Sequence, residues 1–268
     1  MAIERLVPGT IEWESFYANH ISRYSFAREH IDKDEFTNIL DAACGVGYGS
    51  KFLSENPNFN VVGIDKSVEA LKIAEKNFSN KNINFIEDDC ETFSNSSLQK
   101  PFDIIVSFET LEHLKEPKLF LKNCFLNLKE NGKLIISTPN KLVTSPDGKI
   151  EWKFHEKEYL PKELYELLVE NGFSNIKIFG QQLTLIGKLK DQIRNELHKI
   201  NSNPFLRIGK KIQILFNRYK LSALLPEYEE DFEIVLYENL DALTFQGKKG
   251  PFVLIAVCEK NNNITHHV

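Results

Sequence analysis

Residues 39–50 read ILDAACGVGYGS, and this stretch decides the fold. A short apolar run contains Asp41, three glycines alternate at Gly45, Gly47 and Gly49, and a helix-like segment follows. A strand, a glycine turn and a helix in this order form a site where a ligand can lie close to the backbone. The stretch predicts a nucleotide-type cofactor after the first strand, although the glycines alone also fit a turn without a ligand.

Apolar strand patterns alternate with helical patterns from this stretch onward. Seven segments read as strands: TNILDAA, FNVVGID, INFIEDD, FDIIVSF, KLIISTPN, SNIKIFGQ and PFVLIAVCEK. The alternation favours an α/β fold with a mostly parallel, Rossmann-like sheet and helices on both faces. The nearly continuous apolar character indicates strands that are buried on both sides. In such sheets a ligand binds at the carboxyl ends of the strands, so the functional residues should follow the strands directly.

Composition and charge exclude several classes of function. The chain has 268 residues, a formal net charge of −5 and 42% hydrophobic residues, which is typical of a globular protein that does not bind nucleic acid. No segment has the roughly 18 to 20 apolar residues of a membrane span, and the first residues lack the features of a signal peptide. The four cysteines form no C-x-x-C pair and predict reduced core residues. We therefore expect a cytoplasmic protein with a small-molecule partner.

We expect one domain over residues 1–268, made of four parts. Residues 1–37 would form an N-terminal helix that covers the site, residues 38–183 the cofactor-binding core, and residues 251–260 the last strand. Residues 184–250 would form a helical insertion whose first half is basic and whose second half is acidic. This insertion would serve as a lid over the acceptor or as the contact of a homodimer.

Two classes of cofactor compete for the glycine turn. A dinucleotide-binding fold favours G-x-G-x-x-G, whereas this turn reads G-x-G-x-G and Ser50 stands three residues after Gly47. Further segments decide the question: DAACGVG, FIEDDCETF, FDIIVSFETLEHL, LKENGKLIISTPN and LVENGFSNIKIFGQ. Together they resemble the class I S-adenosylmethionine-dependent methyltransferases, from Arg23 to Gln181 and in the last strand. The segments HISRYSFAREHI, ACGVGYGS and TPN…H also resemble a bacterial branch that acts on sugars and surface-glycan precursors.

This resemblance implies an antiparallel last strand, S-adenosylmethionine as cofactor and S-adenosylhomocysteine as product. Asp65 would accept hydrogen bonds from the ribose hydroxyls, and Asp89 would face the adenine amine. Arg23 and Tyr24 would close over the methionine carboxylate, unless their helix is a plain amphipathic cover. The complete expected set of cofactor contacts is Arg23, Tyr24, Asp41, Ala43, Gly45, Gly47, Tyr48, Asp65, Lys66, Asp89, Cys90, Ser107 and Phe108. Ala43 stands where the family usually has its first glycine.

Methyl transfer from a sulfonium requires alignment of the acceptor and exclusion of water, and an alcohol acceptor also needs a base. The expected catalytic residues are His113 in ETLEHL and His155 in EWKFHEKEYL, although each could instead have a structural role. The expected substrate contacts are His20, Asn140, Trp152, Lys210 and Lys211. No metal is expected, because SFETLEHL offers no aspartate and no H-x-x-x-H or paired-acid spacing fits a divalent ion.

The predicted function is methyl transfer to an oxygen of a small bacterial metabolite. The first candidate is a sugar or a phosphorylated or phosphoramidate-type precursor of a capsule or surface glycan. Three alternatives stay open: N- or carboxyl methylation of another small molecule, a nicotinamide-dependent oxidoreductase, and a catalytically silent partner protein that keeps the fold. The spacing of the glycines disfavours the oxidoreductase, and Asp65 together with the intact glycine turn favours real cofactor binding.

Overall fold

A computed structural model describes residues 7–94, 98, 101–202, 228–237, 240 and 250–261. The strands are β1 (Thr37–Ala42), β2 (Phe59–Asp65), β3 (Ile83–Glu87), β4 (Phe102–Phe108), β5 (Leu128–Pro139), β6 (Phe173–Leu183), β7 (Phe232–Leu236) and β8 (Val253–Lys260). The helices are α1 (Ile11–Glu29), α2 (Tyr48–Leu53), α3 (Val68–Phe78), α4 (Pro117–Asn127), α5 (Lys141–Thr144), α6 (Pro161–Glu170) and α7 (Leu185–Ser202). Short 3-10 turns span Leu111–His113 and Glu229–Asp231. Within these ranges no helix is both long enough and apolar enough to cross a membrane.

The strands form one sheet in the order β3-β2-β1-β4-β5-β8-β6-β7. The pairs from β3 to β5 are parallel, and β8 runs antiparallel to both of its neighbours, β5 and β6. The predicted α/β class, the mostly parallel sheet and the antiparallel last strand are confirmed. The sheet has eight strands in the described residues rather than the seven predicted. The additional strand β7 lies in the segment that was expected to be a helical insertion. It was not predicted, because its five residues are only partly buried and stand among acidic residues.

The chain divides into two compact units. The smaller unit lies within residues 1–22 and 183–233, and the larger one within residues 23–182 and 234–268. In the smaller unit, the start of α7 is tied to the turn before β7. The Thr184 amide donates to the carbonyl oxygen of Asp231, and Lys190 Nζ lies 2.7 Å from the Asp231 carboxylate.

The larger unit contains the hydrophobic core around the sheet. Ile39, Leu40 and Ile105 in the central strands have no exposed surface, because helices and loops cover both faces of the sheet. The parallel register aligns the carboxyl ends of these strands, so that Asp65 at the end of β2 lies beside Glu87 at the end of β3. The residues that follow the strands therefore gather at one edge, as the sequence pattern predicted.

The first turn of α2 is packed against an aromatic ring of α1. A Cβ atom added to Gly49 would lie 1.9 Å from Cζ of Tyr24, which is far inside a van der Waals contact. The Tyr24 ring is itself buried, with its centroid 4.8 Å from that of Phe108. Gly49 is therefore required for this packing and not for an unusual backbone conformation.

We predict that Gly49→Ala lowers the free energy of unfolding by about 1–3 kcal/mol, because the new methyl group overlaps the Tyr24 ring and the packed side chains must shift. Urea denaturation measures this change. A double-mutant cycle with Tyr24→Ala is the control, since removal of the ring removes the overlap. An equal cost of Gly49→Ala with and without the ring would contradict the explanation.

Candidate active site

The turn between β1 and α2 runs through several left-handed backbone conformations. Ala43, Gly45 and Gly47 have φ angles of +62°, +57° and +84°. This conformation costs a residue with a side chain roughly 1–2 kcal/mol, which explains why glycine is usual where this chain has Ala43. The two glycines then differ in what surrounds them. A Cβ on Gly45 would meet no atom within 4 Å, whereas a Cβ on Gly47 would lie 2.6 Å from the Phe85 ring.

Only Gly45 therefore faces open space, where a ligand could approach the backbone. Both glycines were expected to let the cofactor approach the backbone. In the structure the missing side chain of Gly47 instead makes room for Phe85 of β3 and Ala74 of α3. The pattern of glycines could not reveal this difference, because both positions need the same backbone conformation.

Asp65 ties the glycine turn to the end of β2. One of its carboxylate oxygens accepts a hydrogen bond from the Gly45 amide at 3.0 Å, and the other accepts from the Ser67 amide at 2.8 Å. The side chain is buried, while the neighbouring Lys66 is exposed. Asp89 after β3 is half-buried and accepts a hydrogen bond from the Glu91 amide at 2.8 Å. Cys90 beside it is buried, and burial raises the pKa of its thiol to about 12.

Asp41 is a fully buried carboxylate between α1 and α2. It accepts hydrogen bonds from the Ser50 hydroxyl at 2.6 Å and from the Tyr24 hydroxyl at 3.2 Å. Burial raises the pKa of Asp41 to about 7, although the two hydroxyl donors oppose this shift. The edge of the Tyr24 ring also meets Tyr48, at 6.0 Å between centroids. Asp41 thus holds the elements around the glycine turn in place.

Two other expected cofactor contacts are buried in bonds to the protein. Arg23 is 1% exposed, and its Nη1 donates a hydrogen bond to Oε1 of Gln181 at 2.6 Å. Ser107 is equally buried and donates to the carbonyl oxygen of Ala42 at 2.8 Å, which joins the ends of β4 and β1. Through these hydrogen bonds, both residues stabilise the carboxyl edge of the sheet.

Two segments that are distant in the sequence meet beyond the end of β4. Glu112 and His113 lie in the turn after β4, and His155 lies in the segment between α5 and α6. The rings of the two histidines meet edge to face, with 4.9 Å between their centroids. The carbonyl oxygen of Glu112 accepts hydrogen bonds from the amides of Glu156 and Lys157, at 2.7 and 3.2 Å. Backbone bonds therefore fix the two segments to each other.

The Nδ1 atom of each of these histidines is engaged by a hydrogen-bond acceptor. Nδ1 of His113 lies 2.9 Å from the carbonyl oxygen of Phe154, and Nδ1 of His155 lies 2.8 Å from a carboxylate oxygen of Glu158. Since a carbonyl and a carboxylate can only accept, Nδ1 carries the proton in both rings. In the neutral form of each ring, Nε2 then has a lone pair.

Glu158 lies beside His155 and was not among the residues expected at the site. Its side chain is buried, yet its pKa is lowered, because the hydrogen bonds from Ser145, Thr144 and His155 outweigh the effect of burial. The Ser145 hydroxyl donates at 2.6 Å. The only signal in the sequence was the spacing of a histidine and a glutamate three residues apart, which is common in helices and loops.

Glu112 is buried beside the two imidazoles. One carboxylate oxygen, Oε2, accepts a hydrogen bond from the Thr138 hydroxyl at 3.1 Å. The other, Oε1, lies 3.7 Å from Nε2 of His113 and accepts no hydrogen bond from any residue that the structure describes. Burial raises the pKa of Glu112, and the negative charge of Glu109 adds to this effect. Glu109 itself has a φ angle of +53°, and its carboxylate accepts from the Ser137 hydroxyl.

Glu112, His113 and His155 form a group whose ligand atoms all lie within 4.8 Å of one another. Carboxylate and imidazole are common metal ligands, so this group has the composition of a cation site. No metal was expected, because SFETLEHL offers no aspartate and no pair of ligands has a fitting spacing along the chain. Here the third ligand comes from a separate segment, which no local spacing could have indicated.

The expected substrate contacts have different environments. Asn140 is fully buried, and its amide donates to the Tyr237 hydroxyl and to the Pro251 carbonyl oxygen, at 2.9 and 2.6 Å. Its oxygen accepts from the Leu142 amide, so these bonds fix the Asn140 side chain within the protein. Trp152 is 61% exposed, and its ring stacks toward His155 at 6.1 Å between centroids.

The remaining predicted substrate contacts are His20, Lys210 and Lys211. His20 lies on α1 in the smaller of the two units. Lys210 and Lys211 lie outside the described residues.

Known proteins that resemble this chain are methyltransferases. A sequence profile of the family described as "Methyltransferase domain" matches residues 33–198. The chain is 29% identical over 175 residues to a probable S-adenosylmethionine-dependent methyltransferase of Mycolicibacterium smegmatis, in an alignment that covers 63% of each chain. It is 30% identical over 198 residues to the ubiquinone biosynthesis O-methyltransferase of Rickettsia typhi, which covers 67% of this chain and 75% of that protein.

The fold is also similar to that of a solved structure, a possible histamine N-methyltransferase from Thermotoga maritima. The TM-score is 0.57, the sequence identity is 15%, and the match covers 92% of both chains. At this identity the likeness concerns the fold alone.

We predict that the stability of the protein falls as Asp41 becomes ionised. The folded protein keeps the proton up to a pKa of about 7, whereas the unfolded chain releases it near 3.8. The contribution of Asp41 to the free energy of unfolding is therefore complete below pH 3.8, the pKa in the unfolded chain. It is lost as the pH rises to about 7. Between pH 5 and pH 8 the wild type should lose about 2–3 kcal/mol more than Asp41→Asn, which cannot ionise.

Urea denaturation at the two pH values measures this difference. Asp34→Asn is the control, since it removes the same charge from an exposed position and should follow the wild type. Parallel pH profiles of all three proteins would refute the assignment.

Proposed function

This chain belongs to the family described as "Methyltransferase domain", and we propose that it is an S-adenosylmethionine-dependent methyltransferase that methylates an oxygen atom of a small acceptor. The observation that carries the proposal is the pair of histidines, His113 and His155, whose rings meet beyond the end of β4 while His155 also stacks toward the exposed Trp152. The chain spans 63% of the length of the mycobacterial relative, so the acceptor is argued from the residues of this chain.

The residues at the glycine turn fit the cofactor. Gly45 presents open space beside its backbone, and Asp65 holds it from the end of β2. The buried carboxylate of Asp41 favours a cationic group nearby, because burial holds its pKa near 7 and a positive charge would stabilise the ionised form. When bound, S-adenosylmethionine supplies an activated methyl group and leaves as S-adenosylhomocysteine.

We assign the cofactor contacts by the exposure of each residue and by its place after a strand, so Asp65 and Phe108 are included although they are buried. Gly45 would contact the amino-acid part, Asp65 the ribose hydroxyls and the half-exposed Asp89 the adenine amine. Ala43, Tyr48, Lys66 and Phe108 would line the same edge. Six other expected residues are buried, and we propose that they support the site without contacting the cofactor. They are Arg23, Tyr24, Asp41, Gly47, Cys90 and Ser107.

The acceptor would lie against the segment around His155. Trp152 and Phe154 are 61% and 43% exposed, and large exposed aromatic side chains next to polar groups are typical of ligand sites. Such rings can stack on the apolar face of a sugar. A hydroxyl group must lose its proton during methylation, and the imidazole of His113 or His155 would accept this proton.

A sugar or a phosphorylated surface-glycan precursor is the narrower form of this proposal. Its support is the basic sequence that starts in α7, where Lys188 is followed by further lysines and arginines. Lys190 in that helix already pairs with Asp231, so it is not available as a phosphate ligand without a rearrangement. A cytoplasmic location and a homodimer stay predictions from the sequence.

We predict that Asp65→Asn weakens the binding of S-adenosylhomocysteine about 10-fold or more, because the loss of a charge-assisted hydrogen bond typically costs 1.5–3 kcal/mol. Isothermal titration calorimetry measures the dissociation constant. Glu75→Gln on the exposed side of α3 removes an equal charge and should bind like the wild type. Equal affinities in all three proteins would exclude Asp65 from the cofactor site.

The acceptor class is tested by the release of S-adenosylhomocysteine from S-adenosylmethionine. The compounds are free sugars, sugar phosphates and nucleotide-linked sugars, compared with phosphoethanolamine and primary amines. We expect turnover with hydroxyl compounds and a decrease in that turnover in Trp152→Ala. Turnover with amines alone would replace the proposal with N-methylation.

A further inference from the structure

The Glu112, His113 and His155 side chains converge on one point from two separate segments. Their ligand atoms lie within 4.8 Å of one another, and Nε2 of His113 lies 3.7 Å from Oε1 of Glu112. We propose that these three side chains bind a divalent transition-metal ion. The proposal deepens the proposed function, because the ion would lie on the acceptor side of the site, but its binding can be measured without any acceptor.

Both imidazoles are prepared to be ligands. A metal-binding histidine normally donates its second N–H to a carboxylate or a carbonyl group, which fixes the ring and directs the lone pair at the metal. His155 has such a partner in the buried carboxylate of Glu158, and His113 has one in the carbonyl oxygen of Phe154. Glu158 is held in turn by the hydroxyls of Thr144 and Ser145. The second layer of a metal site is therefore already in place around both rings.

Glu112 supplies the negative charge that such a site needs. Its side chain is 1% exposed, and Oε1 accepts no hydrogen bond from the described residues although it is shielded from solvent. A buried polar atom without a partner costs about 1–3 kcal/mol, and a cation would satisfy it. The alternative partner is a protonated His113, which would form an ion pair with Glu112 and leave His155 out of the interaction.

The size and the chemistry of the group select the ion. Ligand atoms about 2.1 Å from a metal lie about 3.4 Å apart in a tetrahedral site, so a separation of 4.8 Å would have to shorten by roughly 1.4 Å. Two imidazoles and one carboxylate favour zinc, manganese, iron or cobalt over magnesium and calcium, which prefer sites made of oxygen atoms alone. Three protein ligands also leave positions open for water or for an acceptor hydroxyl.

An ion at this position would assist oxygen methylation directly. It would bind the acceptor hydroxyl and lower its pKa, so that the proton leaves to solvent before the oxygen takes the methyl group. His113 and His155 would then act as metal ligands and not as proton acceptors. Glu158 would be a positioning residue, since it acts on the ion through His155.

The test is a titration of metal into the full-length chain after removal of bound metal with a chelator. We expect one equivalent of Co(II) to bind with visible d–d absorption bands, and Zn(II) and Mn(II) to compete for the same site. Glu158→Gln should weaken binding about 10–100-fold, because the carboxylate that accepts from His155 becomes an amide of the same size. His155→Gln should weaken binding more than that. His30→Gln, at the end of α1, removes a histidine elsewhere and should bind like the wild type.

Circular dichroism before the titration shows whether each variant is folded. Glu158→Gln keeps the test valid if His155→Gln does not fold. Failure of the wild type to bind one equivalent would overturn the proposal in favour of the Glu112–His113 ion pair. Equal binding by the wild type and Glu158→Gln would also overturn it. Binding of S-adenosylhomocysteine to the chelated protein separates this result from the cofactor site, which should be unaffected.

Discussion

Burial of the central strands on both faces is the constraint on which the rest of the structure depends. Residues such as Leu40 and Ile105 have no exposed surface, and a polar group without a partner among them would cost several kcal/mol. Polar side chains are therefore confined to the points where strands end. Because the strands from β1 to β5 are parallel, these points lie at one edge, where Asp65 stands beside Glu87 in the register. The chemistry of the protein is concentrated there for this reason.

Buried carboxylates at this edge differ in how completely the protein satisfies them. Glu158 accepts from two hydroxyls and from an imidazole, and its pKa is lowered despite burial. Asp41 accepts from two hydroxyls only, and burial raises its pKa to about 7. The same side-chain chemistry therefore favours the ionised form at one position and the neutral form at another. A cationic ligand gains most next to a carboxylate like Asp41, whose charge the protein itself does not balance.

The acceptor side of the site is built from loops, and backbone hydrogen bonds give it a defined shape. The Glu112 carbonyl oxygen accepts from the amides of Glu156 and Lys157, and the Phe154 carbonyl oxygen engages the His113 ring. These bonds join the turn after β4 to the segment before α6. The histidines are thus oriented by the chain around them, which is the condition for a precise site on loops.

The sequence by itself determined the elements whose signals are local. Apolar runs of strand length predicted the sheet, and the glycine turn marked the start of α2. These signals work because periodicity and turn chemistry report the burial and the backbone conformation of each residue where it stands. The short edge strand β7 was missed, since its half-buried residues lack a strong apolar run.

The tertiary structure alone decided which side chains meet. It brought Asn140 into contact with Tyr237, Gly47 with Phe85, and Glu158 with His155. It also brought His155 to His113, 42 positions earlier in the chain, with 4.9 Å between their rings. The distance between two side chains on separate loops depends on how both loops fold against the sheet. That information is absent from the local pattern around either residue.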